Sequence, residues 1–140
     1  MKAFAVSPRT PRSARPLDLD LRPARPDEYE IPVLEVGIDA TDKEIDGGEY
    51  GEAPPGSDVL VIGHEALGVI ARECDEAEDL HVGDLVVPTV RRPCPQRCTP
   101  CSAGQYDFCA SGNYLERGIR QAHGFLAERF LERSEFLVKV

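Results

Sequence analysis

Two short segments of this 140-residue chain carry side chains that can bind a metal ion. GIDATDKEI (37–45) supplies Asp39, and GHEALG (63–68) supplies His64 followed directly by Glu65. Imidazole and carboxylate ligands with one open coordination position are typical of a catalytic zinc site. HEALG lacks the second histidine of the metalloprotease pattern HExxH. From spacing alone, a hydrogen-bonded structural histidine remains an alternative to a metal ligand.

A second metal-binding pattern lies further along the chain, in CPQRCTPCSAGQYDFC. Its cysteines are separated by three, two and seven residues, and they are Cys94, Cys98, Cys101 and Cys109. Four thiolates suit a tetrahedral zinc ion, and gaps of about two to four residues let one turn present two sulfurs to it. We therefore expect a structural zinc lobe at about residues 91–113, with two disulfides or free thiols as the alternative. The fifth cysteine, Cys74, has no predicted role.

The composition excludes some classes of partner. The formal net charge of -9 argues against binding to nucleic acid and to anionic membrane surfaces. Three of the 16 basic residues are lysines and thirteen are arginines, and a surface rich in acids and poor in lysine suits high salt, where self-repulsion is screened. An ordinary acidic protein is the alternative. The sequence has no apolar run long enough for a membrane span and no signal peptide, so a cytoplasmic location is expected.

The hydrophobic pattern predicts a mainly β protein. MKAFAV (1–6) and IPVLEVGI (31–38) have the composition of strands, and DATDKEI (39–45) predicts a short helix that begins at an Asp or Thr cap. Gly68 is expected to break the β-rich stretch that follows His64, and the acidic run 75–79 is expected to be a solvated turn. In all, roughly six to eight short strands are predicted, which favours a barrel or a sandwich.

The order of the motifs resembles the zinc-dependent medium-chain dehydrogenase/reductase family. That family usually shows G-x-C-x-[ST]-D, then G-H-E-x-x-G, then V-G-D-x-V, then C-x2-C-x2-C-x7-C. This chain has GIDATD, GHEALG, VGDLV and the cysteine lobe in the same order, with two departures. Asp39 stands where most members have a cysteine, and the first cysteine gap is three residues instead of two. Within that family, four features resemble the glucose dehydrogenases of salt-loving archaea in particular. They are the aspartate at position 39 and the segments EVGIDATDKEI, VVPTVRRP and YLERGIRQAHGF.

The resemblance implies a role for individual residues. Asp39 and His64 would be ligands of a catalytic zinc, and Glu65 would be a further ligand or would tune the ion. Thr41 matches the family hydroxyl that contacts the substrate and takes its proton, and Glu116 matches an acid that binds sugar hydroxyls. A surface acid beside Arg117 is the alternative for Glu116. The cysteines would bind structural zinc; they are Cys94, Cys98, Cys101 and Cys109.

The resemblance also implies an architecture and an activity. Residues 1–140 would form a GroES-like, partly open β-barrel with the zinc lobe projecting from it, and the family's Rossmann domain would follow. No GxGxxG occurs in the chain, so no residue is assigned to NADP or NAD, and this piece alone is expected to be inactive. The full-length enzyme, an expected homo-oligomer, would oxidise D-glucose at C1 to gluconolactone. Another alcohol or polyol as substrate, or a truncated non-catalytic zinc-binding protein, are the alternatives.

Overall fold

Strands dominate the structure. The computed structural model describes residues 1–72, 74 and 79–140. Its strands are β1 (Lys2–Val6), β2 (Arg15–Asp18), β3 (Glu28–Gly37), β4 (Leu60–Val61), β5 (Glu65–Val69), β6 (Leu85–Pro88), β7 (Arg91–Arg92), β8 (Leu115–Arg117), β9 (Gln121–Ala122), β10 (Arg129–Arg133) and β11 (Leu137–Lys139). Its α-helices are α1 (Ala40–Asp46) and α2 (Thr99–Ser102), and short 3₁₀ turns occur at Tyr106–Phe108 and Ser134–Phe136.

The prediction of a mainly β chain is confirmed, but the predicted number of strands is too low. The described residues contain eleven strands, and three of them, β4, β7 and β9, are only two residues long. A strand of two residues is too short to show the alternation of apolar and polar residues by which strands are predicted from sequence. Of the acidic run 75–79, only Asp79 is among the described residues, so the predicted turn lies largely outside them.

Three sheets make up the fold. A five-stranded sheet has the order β10-β3-β5-β6-β11, and two three-stranded sheets have the orders β2-β1-β4 and β7-β8-β9. The first two sheets are joined through the segment before β10, where the Phe4 amide donates to Leu126 O at 2.8 Å and the Glu128 amide donates to Lys2 O at 3.0 Å. These bonds curl the sheets into one wall around the core, as expected for a partly open barrel.

The main core lies inside this curled wall. Tyr29 and Ile31 of β3 are fully buried, and Phe125 packs against Phe130 with ring centroids 4.7 Å apart. A smaller cluster places Ile45 of α1 against Leu60 of β4. The seven-residue helix α1 is too short to be stable alone, so this packing and its cap hold it. Among the described residues, no helix has the length and apolar character needed to cross a membrane.

The expectation that Gly68 breaks the β-strand after His64 is wrong. Strand β5 runs through Gly68, which pairs with Val33 of β3 and with Val86 of β6. A Cβ at this position would run into the Ile31 side chain and would lie 2.9 Å from Pro32 O. Glycine is therefore present because two strands and a core side chain approach each other closely here, which is a recognised role of glycine inside a strand.

We predict that Gly68→Ala destabilises the chain by about 1–3 kcal/mol, because the added methyl group meets backbone and a packed core side chain. Gly37→Ala is the matched control on the same strand pair. Its Cβ would meet mainly the flexible carboxylate of Glu65, which can move away. Urea unfolding of both variants measures the difference, and equal losses for the two would contradict this explanation of Gly68.

Candidate metal centres

The first candidate centre begins at the cap of α1. Asp39 is the N-cap, and its Oδ1 accepts the backbone N–H groups of Thr41 at 2.7 Å and of Asp42 at 3.3 Å. The Asp42 carboxylate reaches back to accept the Asp39 N–H at 3.2 Å, which completes a capping box. The predicted short helix with an Asp cap is therefore confirmed. Since capping by the backbone N–H groups uses Oδ1, the Oδ2 atom of Asp39 is left for side-chain neighbours, which are the Thr41 hydroxyl and His64 Nε2.

Asp42 links this helix to the strand that carries the histidine. Its side chain is 2 % exposed, and its Oδ1 accepts the Gly63 N–H at 3.0 Å. Its Oδ2 lies 3.9 Å from His64 Nδ1. One buried carboxylate thus holds Asp39 and the turn before His64 in a fixed relation, although the two lie in separate sequence motifs. The family motif has an aspartate at this position, and its place as N3 of a capping box was the signal in the sequence for this role.

The two predicted ligands face each other. His64 Nε2 and Asp39 Oδ2 are 3.8 Å apart, which is too long for a hydrogen bond and suits two ligands that share one ion at about 2 Å from each. The ligand atoms of Asp39, Asp42 and His64 all lie within 4.8 Å of one another. The side chain of Asp39 is 43 % exposed and that of His64 is 12 % exposed, so solvent reaches the centre from the Asp39 side.

The protonation chemistry of His64 also fits a metal. Its Nδ1 is buried and has no hydrogen-bond partner among the described residues, with the Asp42 carboxylate as its near neighbour. A histidine that binds a metal through Nε2 carries its proton on Nδ1 and donates it to a carboxylate or carbonyl. A closure of about 1 Å toward Asp42 would complete that bond at normal length. The residues present therefore fit zinc bound by Asp39 and His64.

Glu65 lies beside this centre but outside the close group of ligand atoms. It is exposed, its side chain covers Gly37, and it lines with His64 an open cleft of about 520 Å³ between β3, β5 and β6. A role for Glu65 at the metal stays a prediction. The other predicted catalytic residue, Thr41, is brought into the centre, because its hydroxyl donates to Asp39 Oδ2 at 3.3 Å.

Glu116 lies in a neighbouring cleft. Its Oε1 accepts two hydrogen bonds from Arg91, at 2.6 Å and 3.2 Å, and the pairing raises the pKa of Arg91 above its ordinary value. The partner of this carboxylate is thus Arg91 on the adjacent strand β7, and the role of Glu116 in binding sugar stays a prediction. Val90 lines both the cleft of Glu116 and that of His64, so the two clefts adjoin. Arg91 is a residue of this region that the sequence did not single out.

The cysteine lobe forms the second candidate centre. The four sulfur atoms of Cys94, Cys98, Cys101 and Cys109 lie within 4.8 Å of one another, and none is in a disulfide. The Cys98 and Cys109 sulfurs are 3.8 Å apart, which is about the edge of a tetrahedron with zinc–sulfur distances of about 2.3 Å. The alternative of two disulfides is therefore not what the structure has, and the set fits a closed structural zinc site.

The turns of the lobe aim these sulfurs inward. The Cys98 N–H points at the Cys94 sulfur at 3.4 Å, and Arg97 adopts φ 48 to make this tight turn. Helix α2 begins after Cys98 and places the buried Cys101 one turn later. A hydrogen bond from Ser111, followed by those from neighbouring thiols, lowers the pKa of Cys109 to about 6, and thiolate is the form that binds zinc. The remaining cysteine, Cys74, packs against the main core.

Comparison with known proteins gives consistent matches. Residues 25–140 match the alcohol dehydrogenase GroES-like domain family. The whole chain is 46 % identical to glucose 1-dehydrogenase of Methanocella arvoryzae and covers 39 % of it. It is 43 % identical to glucose 1-dehydrogenase 1 of Haloterrigena turkmenica and covers 38 % of that protein. The chain thus spans about two-fifths of the length of these curated relatives, and the haloarchaeal relatives support the salt-adapted surface predicted from composition.

Solved structures agree with the fold. The whole chain superimposes with a TM-score of 0.90 and 38 % identity on 39 % of Haloferax mediterranei glucose dehydrogenase, solved in complex with NADP, Zn and gluconolactone. Galactitol-1-phosphate dehydrogenase from Escherichia coli matches with a TM-score of 0.80 at 23 % identity, over 38 % of its chain, which concerns the fold alone. The fold of this chain is therefore shared with the matching segments of these solved proteins.

The role of Asp42 leads to a prediction about both stability and metal affinity. Asp42→Ala should lower the free energy of unfolding by about 1–3 kcal/mol, because the Gly63 and Asp39 N–H groups lose a buried acceptor. It should also weaken zinc binding at His64 by about 10- to 100-fold, because an outer carboxylate orients a ligating histidine. Chemical unfolding measures the change in stability. Titration with zinc of protein whose four-cysteine lobe is already filled with zinc measures the change in affinity at His64.

The matched variant for this test is Asp42→Asn. It keeps an acceptor oxygen for the Gly63 N–H but loses the negative charge that faces His64. We expect it to recover part of the stability, because its NH2 group faces the Asp39 N–H that the second carboxylate oxygen accepted, and little of the zinc affinity. A zinc affinity unchanged from wild type in Asp42→Ala would show that His64 does not depend on this carboxylate.

Proposed function

Because this chain belongs to the alcohol dehydrogenase GroES-like domain family, we propose that residues 1–140 are the catalytic domain of a zinc-dependent glucose dehydrogenase. The reaction is the oxidation of D-glucose at C1 to gluconolactone, with NADP or NAD as the hydride acceptor. The observation that carries the zinc chemistry is the pair of Asp39 Oδ2 and His64 Nε2, 3.8 Å apart at the edge of a cleft. Glucose as the substrate is supported by the glucose 1-dehydrogenases among the relatives.

Each residue of the centre has a distinct part in this reaction. Zinc bound by Asp39 and His64 would polarise the C1 hydroxyl of the sugar and lower its pKa. The Thr41 hydroxyl, which donates to Asp39 Oδ2 at 3.3 Å, would take the proton from that hydroxyl and release its own to solvent on the exposed Asp39 side, so that it would act as a proton relay. Glu65 lines the same cleft and would act on the ion as an additional ligand or an outer carboxylate.

Glu116 is proposed to bind the sugar hydroxyls. Arg91 uses only Oε1 of this carboxylate, so Oε2 can accept hydrogen bonds from hydroxyl groups. Arg91 also lies over the Tyr114 ring at 4.1 Å and pairs with Asp107 at 3.0 Å, so it holds Glu116 in a fixed orientation. A polar wall of this type suits a polyhydroxylated substrate, because each hydroxyl that is withdrawn from water needs a partner.

Hydride transfer needs a nucleotide, and no residue of this chain is assigned to bind it. The relatives are about two and a half times as long as this chain, since the chain covers 39 % of them. This length supports a nucleotide-binding domain elsewhere in the enzyme. The cysteine lobe is proposed to hold structural zinc, because its four thiols leave no open position for a substrate. A homo-oligomer and a cytoplasmic location are part of the same proposal.

A chimera tests this function. Residues 1–140 would replace the corresponding segment of the Methanocella arvoryzae glucose 1-dehydrogenase. The two segments are 46 % identical. Reduction of NADP and NAD is then followed with D-glucose, D-sorbitol and ethanol as substrates. We expect glucose-dependent reduction, reduced at least 1,000-fold by His64→Ala because the chemistry depends on the metal. Glu116→Gln should raise KM for glucose.

Three outcomes would overturn parts of the proposal. Reduction with a polyol or alcohol in preference to glucose would reassign the substrate within the same family. A folded, zinc-loaded chimera that reduces neither cofactor with any of these substrates would indicate a non-catalytic zinc-binding protein. An active chimera that tolerates His64→Ala would remove the zinc site itself from the mechanism.

A further inference from the structure

A cluster of charged side chains around the buried carboxylates of Glu28 and Glu132 is not balanced, and only its Arg22 side chain, 48 % exposed, lies largely in solvent. Two of its arginines have a carboxylate each: Arg22 donates to both oxygens of Glu28, at 2.6 Å and 2.5 Å, and Arg92 makes a short hydrogen bond to Glu132. The third arginine, Arg117, has no carboxylate of its own. The three guanidinium groups therefore face two carboxylates, and one positive charge is left without a counter-charge.

Arg117 makes few of the bonds that its guanidinium can make. Its nearest carboxylate oxygen, on Glu132, is 3.8 Å away, beyond hydrogen-bond distance. Among the described residues, its side chain donates no hydrogen bond, and its Nε is buried without a partner. The group is enclosed instead by the rings of Phe125 and Phe130, at 4.7 Å and 5.8 Å. Burial lowers the pKa of Arg117 to about 10, which still leaves it charged at neutral pH.

A cavity of about 300 Å³ opens beside this guanidinium. Arg117 lines it together with Arg22, Arg129 and His123, and Asp20 is its one acidic residue. The Nδ1 atom of His123 accepts the Val61 N–H at 3.2 Å. In the neutral ring the proton must then be on Nε2, which becomes a further hydrogen-bond donor at this cavity. The lining is therefore rich in donors, on a chain that is acidic overall.

We propose that this cavity binds a small oxyanion, namely inorganic phosphate or the phosphoryl group of a phosphomonoester. A planar guanidinium presents paired N–H groups that match the oxygens of a phosphoryl group, and Arg117 has all of them unused. His123 would add a donor from the loop after β9, and Arg129 of β10, whose guanidinium also pairs with Glu30 at 3.3 Å, would add the N–H groups that this pair leaves free. The dianion would supply a counter-charge to the Arg117 guanidinium, which water cannot do.

The position of this cavity makes it distinct from the cleft lined by His64 and Glu65. The two share no lining residue. Arg117 follows Glu116 on β8, so alternation directs the two side chains to opposite faces of that strand. Val61, on the cavity wall, lies three residues before His64 in sequence. An anion bound here is therefore held by elements that also carry proposed substrate and zinc residues, without entering their cleft.

Isothermal titration of the 140-residue chain with inorganic phosphate, at constant ionic strength set with chloride, tests the proposal. A parallel titration with glycerol phosphate separates free phosphate from a phosphomonoester. We expect one saturable site, weakened at least tenfold by Arg117→Gln. Arg25→Gln is the matched control, because it removes the same charge from an exposed position that does not line the cavity.

A second variant, expected to bind phosphate more tightly, keeps the proposal testable if Arg117→Gln does not fold. Asp20→Asn removes the acidic lining residue from an exposed position and should tighten phosphate binding two- to tenfold. Circular dichroism checks the fold of each variant. The absence of saturable binding in wild type, equal losses in Arg117→Gln and Arg25→Gln, or no gain in Asp20→Asn would each overturn the proposal and leave a cavity that holds only water.

Discussion

The buried carboxylate of Asp42 is the interaction on which the candidate centre depends. It accepts the N–H of the helix cap Asp39 and the N–H of Gly63, and it faces Nδ1 of His64. A buried carboxylate loses its hydration, so it is retained only where donors replace the water. Here the donors come from two motifs more than twenty residues apart in sequence. The bonds that satisfy Asp42 therefore also fix the distance between the two proposed zinc ligands.

The rest of the fold supplies rigid support for that contact. The strand that follows His64 is pressed against β3 at Gly68, where only a missing side chain allows the approach. On the other side of the barrel, Arg92 of the lobe strand β7 reaches Glu132 of β10 and lies over the Phe136 ring at 4.0 Å. This pair connects the cysteine lobe to the barrel in addition to the chain itself. The two candidate metal centres are thus separate in their ligands and share one scaffold.

Much of this arrangement followed from the sequence. The resemblance of the motif order to a known family implied the architecture. The helix cap at Asp39 and the thiol cluster were predicted from local spacing, which a short segment encodes. Gly68 was misjudged, because a glycine in a β pattern can break a strand or allow close packing, and only the position of Ile31 decides between them. The partner of Glu116 could not be foreseen for the same reason, since Arg91 is twenty-five residues away and becomes a neighbour only through the pairing of β7 with β8.

The measurement that tests the central claim most directly is the zinc content per chain, by elemental analysis after equilibration with buffered excess zinc. Wild type, Cys98→Ser, His64→Ala and the double variant would be compared. We expect about two zinc ions for wild type, about one for each single variant and none for the double variant, because the centres have separate ligands. A His64→Ala variant that keeps the full zinc content of wild type would contradict this expectation.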